Sequence, residues 1–113
     1  MKKQTSDPRR RQLYRIVYPL KARPRIQVGE ESFAVIDLCE RGIRFLYCGA
    51  QGFKIGEELQ AVVHFADGSS AEIQGSVMRV QGNQTVLHLR VPISPAKVLQ
   101  EQRYLLKHFP GYE

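Results

Sequence analysis

Between residues 15 and 91 apolar side chains recur at every second position in short stretches, and each stretch ends at a turn signal. A period of two places the apolar set on one face of an extended chain, and stretches this short must pair with one another to bury that face. Residues 58–65 show the pattern most clearly, with Leu59, Ala61, Val63 and Phe65 on one side; Ala66-Asp67-Gly68-Ser69 then turns the chain into residues 71–80. Gln81-Gly82-Asn83-Gln84 leads on into residues 85–91. Upstream, residues 33–38 and 43–48 read as two strands joined by a loop over 37–42, and residues 49–52 form the next break. Residues 20–28 also alternate, with Leu20, Ala22, Pro24, Ile26 and Val28 on one face. Pro19 and Pro24 remove backbone donors, which assigns that strand to a sheet edge, and Glu30-Glu31-Ser32 reads as the turn after it. Six or seven such strands predict a small antiparallel barrel or sandwich, with Phe33, Val35, Phe45, Val63, Phe65, Val77, Leu87 and Leu89 as its core.

The period changes at the C-terminus. Ser94 is placed to cap a helix and Pro95 to begin it, after which Val98, Leu99, Gln102, Leu105, Leu106 and Phe109 fall at helical spacing. That stripe is expected to pack on the barrel, and Pro110-Gly111 to stop the helix. Tyr104 and Tyr112 are read as fringing this packing, and Cys48 as a small filler. The chain has 113 residues, enough for one core without disulfides or a structural metal and too few for a multidomain enzyme.

Charge is unevenly placed. Residues 1–25 hold nine basic residues against the single acid Asp7, a net +8; with +6 for the whole chain, the remainder carries −2. Such a segment attracts phosphates, whether of nucleic acid, a membrane surface or a nucleotide. Residues 1–8 are expected to form a disordered tail, followed by a single domain over 9–110, with the barrel at about 15–92 and the helix at about 95–109. No apolar run reaches the ~18 residues of a membrane span and the first residues lack an export signal, so a cytoplasmic protein without membrane insertion is expected. Cys39 and Cys48 are expected to be reduced, and His64, His88 and His108 show no metal-ligand spacing. No histidine lies near Cys39 in sequence and no paired-acid motif occurs, so catalysis is not expected.

Two places carry candidate binding chemistry. Arginine presents a planar fork that grips phosphate bidentately and stacks on flat rings, and Arg9, Arg10, Arg11 and Arg15 cluster where the domain begins. If residues 13–17 are extended, Arg11 and Arg15 face the same way. In the loop over 37–42, Asp37 can accept from the N1–H and exocyclic amine of guanine or make a turn-forming bond. Gly42 suits a positive φ, a close backbone approach or a plain tight turn.

The order of these features closely resembles the two signatures of the PilZ domain family: Arg-x-x-x-Arg (Arg11 to Arg15), then Asp-x-Cys-x-x-Gly (Asp37, Cys39, Gly42). The Gly-Ile-Arg-Phe stretch at 42–45, the strand entry at 56–59, the pattern of residues 75–80 and the final helix extend the likeness over about 9–109. The resemblance implies a six-stranded antiparallel β-barrel with a C-terminal α-helix and a flexible basic N-terminal arm. It implies a non-catalytic receptor for cyclic di-GMP that signals to a protein effector, with monomer and homodimer both open. By position, Arg11 and Arg15 clamp phosphate and base, Asp37 reads a guanine, Gly42 shapes the loop, and Arg10 bears on whether one ligand or an intercalated pair binds. Cys39 replaces the family's usual serine, and a thiol bonds more weakly than a hydroxyl; where that hydroxyl bonds the ligand, a loss of about 1 kcal/mol, roughly fivefold, is expected. Two other functions fit parts of the pattern. A ligand-independent adaptor acting through protein contacts is one; a single-stranded nucleic-acid binder is the other, disfavoured by the net acidity after Arg25.

Overall fold

The computed structural model describes residues 15–47 and 52–109. Seven strands follow one another in chain order: β1 (Ile16–Val17), β2 (Arg25–Val28), β3 (Glu31–Cys39), β4 (Gly42–Leu46), β5 (Glu58–His64), β6 (Ser70–Gln81) and β7 (Gln84–Leu89). One helix, α1 (Pro95–His108), ends the domain. The sheet order is β1-β3-β2-β5-β6-β7-β4, all antiparallel, and pairing of β3 with β4 closes six strands into a barrel while β1 rides on the far half of β3. Closure leaves the six barrel strands no free edge.

The alternation seen in the sequence becomes an inside and an outside. Ile26, Val35, Leu38, Ile43, Phe45, Val63, Val77, Leu87 and Leu89 point inward and are buried, as are Phe33 and Phe65, so every residue of the predicted core lies in it. At one end Phe33, Phe45, Tyr47 and Phe53 pack ring against ring, with centroids 4.9–6.2 Å apart. Along the β6–β7 ladder the backbones approach so closely that a Cβ on Gly75 would lie 2.5 Å from the carbonyl oxygen of His88.

Several expectations are corrected. Residues 20–28 do not form one strand: Leu20–Ala22 is a 3-10 turn, closed by the Ala22 N–H donating to the Pro19 carbonyl, and Leu20 is exposed. The fixed φ of Pro19, −65°, starts that turn, which shifts the extended segment to Arg25–Val28. β2 is not an edge strand. It pairs with both β3 and β5, because both prolines precede it and it keeps all its donors. The turn after it is Gly29-Glu30, with Gly29 at φ +62°, so Glu31 and Ser32 belong to β3.

The helix begins as expected, the Ser94 hydroxyl accepting from the Lys97 N–H and Pro95 in the first turn. Its buried face differs from the apolar stripe. Val98 and Leu105 are buried, but the third buried residue is Glu101, while Leu106 is exposed. Polar partners on the barrel, described below, draw a carboxylate into the seam. Among the described residues no helix is long and apolar enough to cross a membrane. The tail over 1–8, the arginines at 9–11, Tyr14, Cys48, Pro110-Gly111 and Tyr112 lie outside the described residues.

Candidate functional site

The predicted loop over 37–42 is mostly strand. Asp37, Leu38 and Cys39 are in β3, Gly42 begins β4 opposite Cys39, and only Glu40 and Arg41 turn. The turn carbonyls are used, Arg41 accepting from the Leu89 N–H and Glu40 from the Ile93 N–H, which ties the hairpin to the segment before α1. Gly42 does not take the positive φ it was expected to allow. A Cβ there would make ordinary contacts, 3.5 Å to the Cys39 sulfur and 3.6 Å to the Leu87 carbonyl oxygen.

Because Leu38 and Ile43 point into the core, Asp37 and Cys39 of β3 and Gly42 and Arg44 of β4 share the outer wall. β1 pairs Val17 with Asp37, and Arg15 immediately precedes Ile16, the first residue of β1. The Arg15 guanidinium accordingly reaches Asp37, donating from Nη2 to Oδ2 at 3.1 Å. Arg44 approaches the same oxygen, its Nε 3.4 Å away, and donates from Nη1 to Oε1 of Gln84 on β7 at 3.2 Å. Its Nε is buried with no hydrogen-bond partner. One carboxylate thus faces two guanidiniums. Asp37 is 14% exposed and Arg15 50%, so the carboxylate sits in the wall while Arg15 reaches it from the rim.

Of the predicted site residues, Arg15 and Asp37 are in direct contact, and Cys39 and Gly42 lie together one step along the same wall; Arg10 and Arg11 lie outside the described residues. Sequence reasoning missed Arg44 as a site residue. The signal was available: in Gly42-Ile43-Arg44-Phe45 the period of two puts Arg44 on the polar face, but only closure of β3 on β4 puts it opposite Asp37.

A second polar cluster joins α1 to the barrel. The Tyr18 hydroxyl donates to Glu101 Oε1 at 2.8 Å, and Lys97 Nζ lies 3.7 Å from Glu101 Oε2 and 3.6 Å from Asp67 Oδ2. Lys97 also donates to the Ser69 hydroxyl at 2.6 Å and sits 4.2 Å from the Phe65 ring centroid. Burial pushes the Glu101 carboxyl above the usual carboxylate range against the pull of Tyr18 and Lys97. Asp67 is held below that range, chiefly by the hydrogen bond it accepts from the Ser69 side chain. No group of three metal-ligating side chains occurs among the described residues.

The domain is thus a closed antiparallel barrel with a C-terminal helix packed on it, and its outer wall carries a carboxylate between two guanidiniums. The PilZ domain family matches residues 9–107, and the chain belongs to that family. Its fold is similar to that of the Bacillus subtilis inhibitor of motility (MotI/DgrA), with a TM-score of 0.60 and 17% identity over 78% of this chain. The match spans 48% of that chain, about half its length. Curated proteins returned no match.

Proposed function

We propose that this domain is a receptor for cyclic di-GMP that passes occupancy to a protein effector. The observation that carries the reading is the Arg15–Asp37 contact: the last arginine of the first motif and the first residue of the second, 22 positions apart, meet at 3.1 Å on one wall. PilZ domains are generally non-catalytic receptor domains, which supports the class.

The chemistry of the ligand fits the wall. Cyclic di-GMP carries two phosphates and two guanines; Arg15 turns from Asp37 to a phosphate, joined by Arg10 and Arg11 from the preceding segment, and Asp37 accepts from the N1–H and amine of a guanine. Gly42, lacking a side chain beside Cys39, leaves room for the flat base. Arg44 stays on Asp37 when Arg15 leaves, so the carboxylate beside a dianion keeps a counter-charge. Bringing the arginine segment onto the barrel moves positive charge across its surface and forms a face for an effector.

Calorimetry with cyclic di-GMP at moderate salt tests the reading. Binding is expected in the unmodified protein and a loss of tenfold or more in Arg11→Ala, Arg15→Ala and Asp37→Ala, about 1.4 kcal/mol or more each. No heat at high micromolar protein, or full affinity in these variants, refutes it. A single-stranded nucleic-acid binder would instead show affinity falling steeply with salt.

A further inference from the structure

Arg15 reaches Asp37 from a very small platform. β1 is two residues long, pairing Ile16 with Leu38 and Val17 with Asp37, and the Tyr18 N–H donates to the Ile36 carbonyl at 3.0 Å just beyond it. So short a ladder specifies its register weakly, and a slip of one residue would turn Arg15 and Val17 to the opposite face. What pins it is on the buried side. Ile16 and Tyr18, two residues apart and on the same face, are 0% and 3% exposed. Beyond the ring of Tyr18, its hydroxyl meets Glu101, itself 1% exposed and 83 residues later in the chain. β1 is also the strand that α1 touches most.

Glu101 is in turn held. Lys97, one helical turn earlier, lies near its second oxygen and is itself fixed by Ser69, Asp67 and Phe65 of the β5–β6 hairpin. From the hairpin through α1 to Tyr18 each step is a named contact, and Tyr18 is joined to Arg15 through the two residues of β1. We propose that Tyr18 and Glu101 are positioning residues for the arginine of the binding site, so that docking of α1 and occupancy of the Arg15–Asp37 site are coupled. This deepens the receptor reading and rests on it. Coupling of this kind is reciprocal: a ligand that draws on the placed Arg15 stabilises the docked helix to the same extent.

Two measurements on the full chain test the inference, amide hydrogen exchange without ligand and cyclic di-GMP affinity. Tyr18→Phe removes the hydroxyl and keeps the ring, and is expected to speed exchange at the Tyr18 amide and lower affinity, each about tenfold. Glu101→Leu is expected to do the same, while Glu101→Gln keeps an acceptor for the hydroxyl and restores both. Tyr104→Phe is the control, since that hydroxyl belongs to the same helix but reaches the Ala66 carbonyl, away from β1. It is expected to change neither. Unchanged exchange in Tyr18→Phe, or equal effects in Tyr104→Phe, overturns the inference. If the unmodified protein binds no cyclic di-GMP, the receptor reading falls, and the ligand-free exchange still decides whether Tyr18 and Glu101 set the position of β1.

Discussion

Arg44 and Arg15 converge on one oxygen of Asp37 from opposite flanks of β3, Arg44 from β4 and Arg15 from the residue before β1. The two guanidiniums are not equivalent. Arg15 is half exposed and ends its reach at Asp37, whereas Arg44 is 31% exposed and tied to Gln84 as well. A pair with one exposed partner adds little to stability, so in the proposed receptor exchanging Asp37 for a phosphate would cost Arg15 little.

Replacing Arg44 separates binding from folding. Arg44→Ala leaves Asp37 without a counter-charge once Arg15 turns to the ligand, and affinity for cyclic di-GMP is expected to fall about tenfold. The melting temperature should move little, since partly exposed ion pairs contribute at most about 1 kcal/mol. Calorimetry and thermal melts on the same preparation check this. Full affinity in the variant would show that Arg15 alone serves Asp37.

Cys39 stands on the outer wall beside Gly42, one inward-facing residue from Asp37. Cys39→Ser supplies a hydroxyl that donates and accepts more strongly than a thiol. A gain of about 1 kcal/mol, roughly fivefold tighter binding, is expected by titration. Equal or weaker affinity in the serine variant would mean that the side chain at 39 does not touch the ligand.

Gly75 tests the barrel itself. Its Cβ position lies 2.5 Å from the His88 carbonyl oxygen and 3.2 Å from the Leu89 Cα, both backbone atoms of a paired strand. Gly75→Ala must push β6 and β7 apart, and a loss of about 1–3 kcal/mol is expected in denaturant unfolding. Gly29→Asn, by contrast, places a residue that tolerates the left-handed region where nothing lies within 4 Å of its Cβ, and should cost less. Equal losses would contradict the packing account.

The helix seam predicts a pH dependence. Glu101 has a raised pKa in the folded protein, so the native state holds its proton more tightly than the unfolded chain does. Its proton-linked stabilisation is complete below the unfolded value and is lost as pH rises through the folded one. Asp67, with a lowered pKa, acts oppositely: its contribution is present above the unfolded value, about 4, and is lost as pH falls through the folded one. As pH falls from neutral through the folded value toward the unfolded one, the unmodified protein is therefore expected to gain stability relative to Glu101→Gln, as read by thermal melts of both. A difference that does not change with pH would refute it. The groups facing Glu101 in this comparison are Tyr18, Lys97 and Asp67.

The sequence by itself determined the strands of β5, β6 and β7, the helix start at Ser94-Pro95 and the inward set of apolar residues, because each rests on local period or local capping. It also placed Arg15 and Asp37 in two stretches that resemble the signatures of one family. Where two signals competed it misled. The alternation of residues 20–28 runs across Pro19 and Pro24, and proline geometry outweighed the period. Tertiary structure decided the rest: the Glu40-Arg41 turn, the meeting of Arg44 with Asp37, and the burial of Glu101 beneath Tyr18. The first two follow from the register of the β3–β4 hairpin, which sets Asp37 opposite Arg44, whereas Tyr18 and Glu101 meet across 83 positions. A polar residue becomes buried, or a basic one becomes part of a site, only when closure of the barrel or docking of the helix supplies its partner, and no local pattern encodes where that partner lies.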